Sequence, residues 1–197
     1  SRRQAGLFKV KIETPFGLIS SSVAVETGPM RISELAPSAF ELTNILMQRS
    51  EQLLEEQGKK LSCKPGCGAC CRQMVPLSAP EAMFIVNLLH SMKQQSRQMF
   101  IDRFDRIERQ LRSEGKLQAL LHEPYDDDSA FEQACDYFAR QIPCPFLIDE
   151  SCSIYPYRPV ACREYSVTTA PEKCADPFSG QVENTFLKTL FSWMIPI

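Results

Sequence analysis

Four cysteines stand in the run Leu61–Arg72, LSCKPGCGACCR, at Cys63, Cys67, Cys70 and Cys71, in the spacing CxxxCxxCC. Core packing gives no reason for so many thiols in one short loop. Pro65, Gly66 and Gly68 let the backbone turn tightly enough to aim several sulfurs at one point, which a metal ion or cluster needs and an apolar core does not. Five more cysteines follow, at 135, 144, 152, 162 and 174. The fold is therefore constrained by which of them return to the loop.

The chain has 197 residues, 44% of them apolar, enough for one ordinary core without metal to compensate for small size. A net charge of −2 and a pI near 5.8, with no clustered Lys and Arg face, argue against a nucleic-acid partner. No apolar run approaches the ~20 residues of a membrane helix. The opening SRRQAGLFKVKIE also lacks a signal-peptide core. No membrane partner is expected, and a reducing cytoplasm is the expected location. An odd total of nine cysteines, with Cys70 and Cys71 adjacent, argues against a disulfide framework.

Residues 7–13 alternate apolar and basic side chains, and residues 18–25 follow the turn signal Pro15-Phe16-Gly17. Together they predict a β-hairpin in an N-terminal extension, residues 1–35. A lone hairpin is marginal in water, so it must pack on helices or serve an oligomer contact. Residues 36–197 then form a helical cysteine-cluster domain. Its first helix runs from Pro37 to Gln57 with Leu42, Ile45, Leu46 and Leu53 on one stripe, and Gly58 stops it. Ser78-Ala79-Pro80-Glu81 has the form of a capping box opening a second helix, with Ala82, Ile85, Val86, Leu89 and Met92 on its apolar face. A third, at 96–113, carries Phe100, Phe104, Ile107 and Leu111 on its apolar stripe.

Asp126-Asp127-Asp128 reads as an exposed turn capping a fourth helix, 129–141. Cys135 lies on that helix's apolar stripe with Phe131, Ala134 and Phe138, so it is assigned to packing. From Ile142 the chain becomes rich in proline and cysteine. It suggests a short strand at 146–148, a turn at Asp149-Glu150, and a short helix after Arg158-Pro159 bearing Cys162 and Arg163. TFLKTLFSWMI closes the chain with a helical apolar stripe that suits the core or a partner. The fold class is mainly α, with a small N-terminal hairpin and an irregular Pro/Cys-rich segment closing a metal site.

Without Cys135, eight candidate ligands remain: Cys63, Cys67, Cys70, Cys71, Cys144, Cys152, Cys162 and Cys174. Neighbouring side chains diverge, so Cys70 and Cys71 should serve different metal atoms. Two tetrahedral centres lying close together, or one polynuclear cluster beside a single ion, would use eight thiols. Four thiolates around a divalent ion leave about −2 of charge, which Lys64, Arg72, Arg158 and Arg163 could offset. His90 and His122 fall on predicted helices away from the cysteines. Thiolates suit zinc and iron alike, the latter also as an iron–sulfur cluster.

The pairing of CKPGCGACC at 63–71 with CPFLIDESCSIYPYRPVACREY at 144–165 resembles the YkgJ-like cysteine-cluster family, a zinc- or iron-chelating domain. The resemblance implies that the same eight cysteines chelate metal, and it implies no particular reaction. Flagellin lysine methylases carry a similar cluster. Cys63, Cys67 and Cys70 also have the CxxxCxxC spacing of iron–sulfur enzymes that use S-adenosylmethionine, which would need repeated strand–helix units after the motif. An electron-transfer or redox-sensing module is a further alternative. Metal ions are the expected partners, and the hairpin or the C-terminal helix could serve a protein partner or a homo-oligomer.

Overall fold

A computed structural model describes residues 4–14, 17–122 and 127–183. A hairpin of β1 (Gln4–Thr14) and β2 (Gly17–Thr27) leads through a 3₁₀ turn at Ile32–Leu35 into α1 (Ala36–Glu56). Four helices follow: α2 (Ala79–Ser91), α3 (Gln94–Ser113), α4 (Leu117–His122) and α5 (Asp127–Ala139). The last part holds a ribbon of β3 (Leu147–Ile148) and β4 (Ser151–Cys152), a 3₁₀ turn at Tyr155–Tyr157, α6 (Val160–Glu164) and a 3₁₀ turn at Pro171–Ala175. The chain is mainly α with a small N-terminal hairpin, as its sequence predicts. No described helix is long and apolar enough to cross a membrane.

β1 and β2 pair antiparallel from Gln4↔Thr27 to Thr14↔Gly17. Because side chains alternate across a strand, Val10, Ile12, Ile19, Val23 and Val25 share one face. That face lies on α1: Ile19 and Val23 join Leu42 and Leu46 in a buried cluster, flanked by Val10, Ile12, Val25, Ile45 and Met47. Helix α1 thus supplies the layer a two-stranded ribbon lacks. Leu7 and Leu18, on the outer face, are 73% and 60% exposed. At the far end of α1, Gln57 caps the helix and Gly58 takes a φ of 75°, which glycine adopts without strain.

Ser78 and Glu81 form the expected capping box. The Ser78 N–H and hydroxyl both donate to Glu81 Oε2, at 3.0 and 2.6 Å, and Ser78 Oγ accepts from the Glu81 N–H. Ile85 of α2 and Phe100 of α3 pack with Phe146 and Ile154 from the late segment, and Cys144 and Cys152 sit against this cluster. The Phe146 ring is held between Phe100 and Phe104, at centroid distances of 5.1 and 5.5 Å. A third cluster joins Ala36 and Phe40 of α1 to Val160 of α6, with Phe84 of α2 edge-on to Phe40.

Ile85, Leu89 and Met92 of α2 line the core as the sequence predicts. Val86 is exposed, whereas Leu88 lines the core and Phe84 turns to α1, because α2 is covered on two sides rather than one. Helix α4 was not foreseen, since six residues are too few to show a helical period. Asp127 and Asp128 belong to the first turn of α5 rather than preceding it, and Asp126 lies outside the described residues. So do the C-terminal segment TFLKTLFSWMI and the side chain of His122. The described strands form only two separate two-stranded ribbons. The strand–helix repeats expected of an S-adenosylmethionine enzyme thus do not follow the cysteine loop among the described residues.

The packing of the hairpin predicts an asymmetry between its faces. Leu46→Ala should lower the stability of the protein by about 2–5 kcal/mol in urea denaturation, and Leu7→Ser on the outer face by less than about 0.5 kcal/mol. Equal effects would show that the hairpin does not share the α1 core.

Candidate metal centre

The cysteine loop is built from consecutive tight turns. The Cys67 N–H donates to the Lys64 carbonyl, that of Cys71 to Gly68, and that of Gln73 to Cys70, at 3.2, 2.9 and 3.1 Å. Gly66 has a φ of 88°, so the turn signals read from Pro65, Gly66 and Gly68 act where they were placed. The late segment runs against this loop in two places. The Cys144 N–H donates to the Cys71 carbonyl at 2.7 Å. The Ser62 N–H donates to the Val167 carbonyl at 2.9 Å, and the Val167 N–H to Cys63 Sγ at 3.4 Å.

Between these contacts the loop slides under the β3–β4 turn. Asp149 and Glu150 supply two left-handed residues, with φ of 48° and 56°, as a two-residue hairpin requires. The approach is so close that a Cβ on Gly68 would stand 2.5 Å from the Glu150 carbonyl oxygen and 2.7 Å from Leu147 Cδ1. Arg72 clips the same turn from outside, its Nη2 and Nη1 donating to Glu150 Oε1 and Oε2 at 2.6 and 3.0 Å. From the helical side, Arg103 of α3 donates to the carbonyls of Pro145 and Leu147 at 2.9 and 2.8 Å.

Two buried charges anchor α6, which carries Cys162. The second oxygen of Glu81 accepts the Val160 N–H at 2.7 Å, so the carboxylate that caps α2 also holds the start of α6. Arg163 donates to Asn44 Oδ1 of α1 at 2.8 Å, and to the carbonyls of Arg158 and Pro156 at 2.8 and 2.5 Å. Its guanidinium rests 4.5 Å over the Phe40 ring. Burial brings its pKa down to about 10.

All nine cysteines are free thiols. Their electrostatics fall into two groups that meet at Cys70. Cys63 feels Cys70 and Cys67, and Cys174 feels Cys63, Cys70 and Cys67. Cys71 feels Cys70, Cys144 and Cys152, while Cys162 feels Cys144, Cys70 and Cys152. Burial is the main cause that pushes up the thiols of Cys63, Cys144, Cys152 and Cys162, and it lifts Cys174 to about 11. Cys70 goes the other way, to about 7, chiefly through the hydrogen bond donated by the Cys71 thiol, with Arg158 helping. That same bond holds Cys71 protonated.

The loop and the late segment thus bring seven of the expected ligands within range of one another's charge, and Cys67 joins them through its effect on Cys63 and Cys174. Among the described residues, no three of these side chains yet stand in finished ligating geometry. Reaching a Zn–S distance of about 2.3 Å asks side-chain and loop adjustments of them. The donor set itself fits the metal: thiols close in space, raised by burial, whose protons a soft cation would displace.

Cys135 stays half-buried on α5, and His90 is exposed on α2. Of the four basic residues expected near the cysteines, Arg72 pairs with Glu150, Lys64 is exposed and Arg163 is spent on the anchoring of α6. Only Arg158 acts on thiols of both groups. Sequence reasoning missed Tyr165, whose hydroxyl bonds to Gln73 and feels Cys174, Cys70 and Cys63. It found Glu81 as a cap but had no signal for its second bond, to Val160.

A family described as "CxxCxxCC: putative zinc- or iron-chelating domain" matches residues 62–185, more than half of the chain. This chain belongs to that family. Its match begins one residue before Cys63 and takes in the whole late segment, so the zinc- or iron-chelating domain includes both the cysteine loop and the segment that runs against it. Metal binding is accordingly the function class of the protein. No curated protein and no solved structure matches the chain.

Two outcomes follow from the geometry of this domain. Gly68→Ala should push the loop from the β3–β4 turn and cost about 1–3 kcal/mol, measured by chemical denaturation of metal-free protein. In the same metal-free state, iodoacetamide should label Cys70 first among the eight thiols, with a midpoint near pH 7. Cys71→Ala removes the donated hydrogen bond and should move that midpoint upward, as read by peptide mapping across a pH series.

Proposed function

We propose that the protein chelates zinc or iron through thiolates at two neighbouring centres. One draws on Cys63, Cys67, Cys70 and Cys174, the other on Cys71, Cys144, Cys152 and Cys162. The observation that carries this reading is the division of thiol electrostatics into two groups, each mixing loop and late-segment cysteines and meeting at Cys70. Cys70 and Cys71 are joined by a thiol hydrogen bond, so serving different metal atoms would turn their side chains apart, as neighbouring side chains readily do. Four sulfurs at each centre match the closed tetrahedral site of a structural or storage metal. Nine free cysteines agree with a reducing compartment, and we place the protein in the cytoplasm on that ground.

Iron in place of zinc would make the eight-thiol set a cluster or a pair of iron sites, and a visible spectrum distinguishes these from colourless zinc. The test of the two-centre reading is metal stoichiometry. Wild-type protein purified anaerobically should carry about two metal ions per chain by elemental analysis, one for each set of four thiolates. Cys67→Ser and Cys162→Ser should each lose one, and the double variant both. Full metal in both single variants would overturn thiolate chelation at these positions. Loss of all metal from either single variant would replace two centres by one shared cluster.

A further inference from the structure

Glu81 does more than its place in a capping box explains. The glutamate of such a box has only to accept from the backbone of the N-cap residue, a task that one oxygen performs at the surface. Oε2 meets that need through the Ser78 N–H and hydroxyl, at 3.0 and 2.6 Å. Yet the residue is only 6% exposed, and its Oε1 accepts the Val160 N–H, 79 residues further along the chain, at 2.7 Å. Burying a carboxylate is costly unless its oxygens are hydrogen-bonded, and the second bond is what the burial serves.

That bond falls where α6 lacks one of its own. Pro159 stands at the N-cap of α6 and has no side chain that could accept, which leaves the N–H of buried Val160 without a local partner. Val160 opens the helix, and Cys162 follows two residues on. Arg163, the next residue, is held in its turn by donating to Asn44 Oδ1 and to the Arg158 and Pro156 carbonyls. Cys162 therefore sits on a five-residue helix that is fixed on both sides of it, by a carboxylate of α2 before and through Asn44 of α1 after.

We propose that Glu81 is a positioning residue of the metal centre: by holding the Val160 N–H it sets where α6 begins, and so the place from which Cys162 presents its sulfur. The inference rests on the reading of Cys162 as a ligand of one of two centres. A ligand constellation tolerates a displacement of about 0.5 Å, and a carboxylate shortened by one methylene withdraws its oxygens by about 1.5 Å. Ser78 is the internal control, since its hydroxyl bonds only within the α2 cap among the described residues.

The test uses full-length protein with zinc as the probe, its affinity read by competition with a chromophoric chelator. The two centres are separated by working in the Cys67→Ser background, which keeps the one that holds Cys162, and in the Cys162→Ser background, which keeps the other. Glu81→Asp should raise the zinc Kd about tenfold in the first background, the worth of one hydrogen bond to a charged group, and leave it within about twofold in the second. Glu81→Gln, which keeps the length and an acceptor for Val160, should recover most of that loss. Ser78→Ala should lower the urea midpoint of unfolding and leave both affinities as they were. Should Glu81→Asp fail to fold, Val160→Pro removes the donor at a first-turn position that admits proline, and should weaken the same centre alone. Equal weakening of both centres by Glu81→Asp, or the same weakening by Ser78→Ala, would reduce Glu81 to a stabilising role and overturn the proposal. So would an unchanged affinity in the first background. Loss of all zinc from either background before Glu81 is changed would instead overturn the two-centre reading, and the proposal with it.

Discussion

The structure depends on a single seam, where the Cys144 N–H meets the Cys71 carbonyl at 2.7 Å. On one side is a loop with no regular structure. On the other is a segment returning after four helices. Closing a long excursion of chain costs entropy, so the seam exists only because other contacts hold its two sides. Phe146, gripped between Phe100 and Phe104, fixes the late segment on α3, and Arg103 ties down the carbonyls on either side of that ring. The loop is fixed from the opposite direction, by the close approach of Gly68 to the β3–β4 turn.

Polar groups join the burial of Val160 against Ala36 and Phe40 in placing α6, and with it Cys162. A helix of five residues cannot hold itself. Glu81 and Arg163, both buried, provide what it lacks: the carboxylate satisfies a free N–H at its start, and the guanidinium crosses to Asn44 of α1. A buried charge with its hydrogen bonds complete is expensive to lose, because removing one partner strands the other in low dielectric. The geometry of the late cysteines is thus tied to the core by directional bonds that tolerate little displacement.

The same burial sets the chemistry. Desolvation holds most of the thiols in their neutral form, so the grouped sulfurs can sit near one another without eight negative charges in a small volume. A soft cation bound by these thiols would have to replace those protons, and its affinity would carry the cost of removing them. Cys70 is the exception. Held down by the Cys71 thiol and helped by Arg158, it is the natural first thiolate and the point where the two groups touch.

Much of this was legible in the residues themselves. CxxxCxxCC with glycine and proline between the thiols marked a tightly turning loop, the Ser78–Glu81 pair marked the start of α2, and Arg158-Pro159 announced α6, because each rests on local backbone chemistry. Strand alternation likewise gave the hairpin, although not the layer it would lie on. What the tertiary structure alone decided is long-range: that α1 covers the hairpin, that Glu81 serves two helices, that Arg163 is core while Arg158 stacks on Tyr155. Two arginines five residues apart read identically in sequence. Their fates diverge because one meets Asn44 and Phe40 across the core and the other stacks on its neighbour Tyr155, and a contact across the fold leaves no periodic trace in the chain.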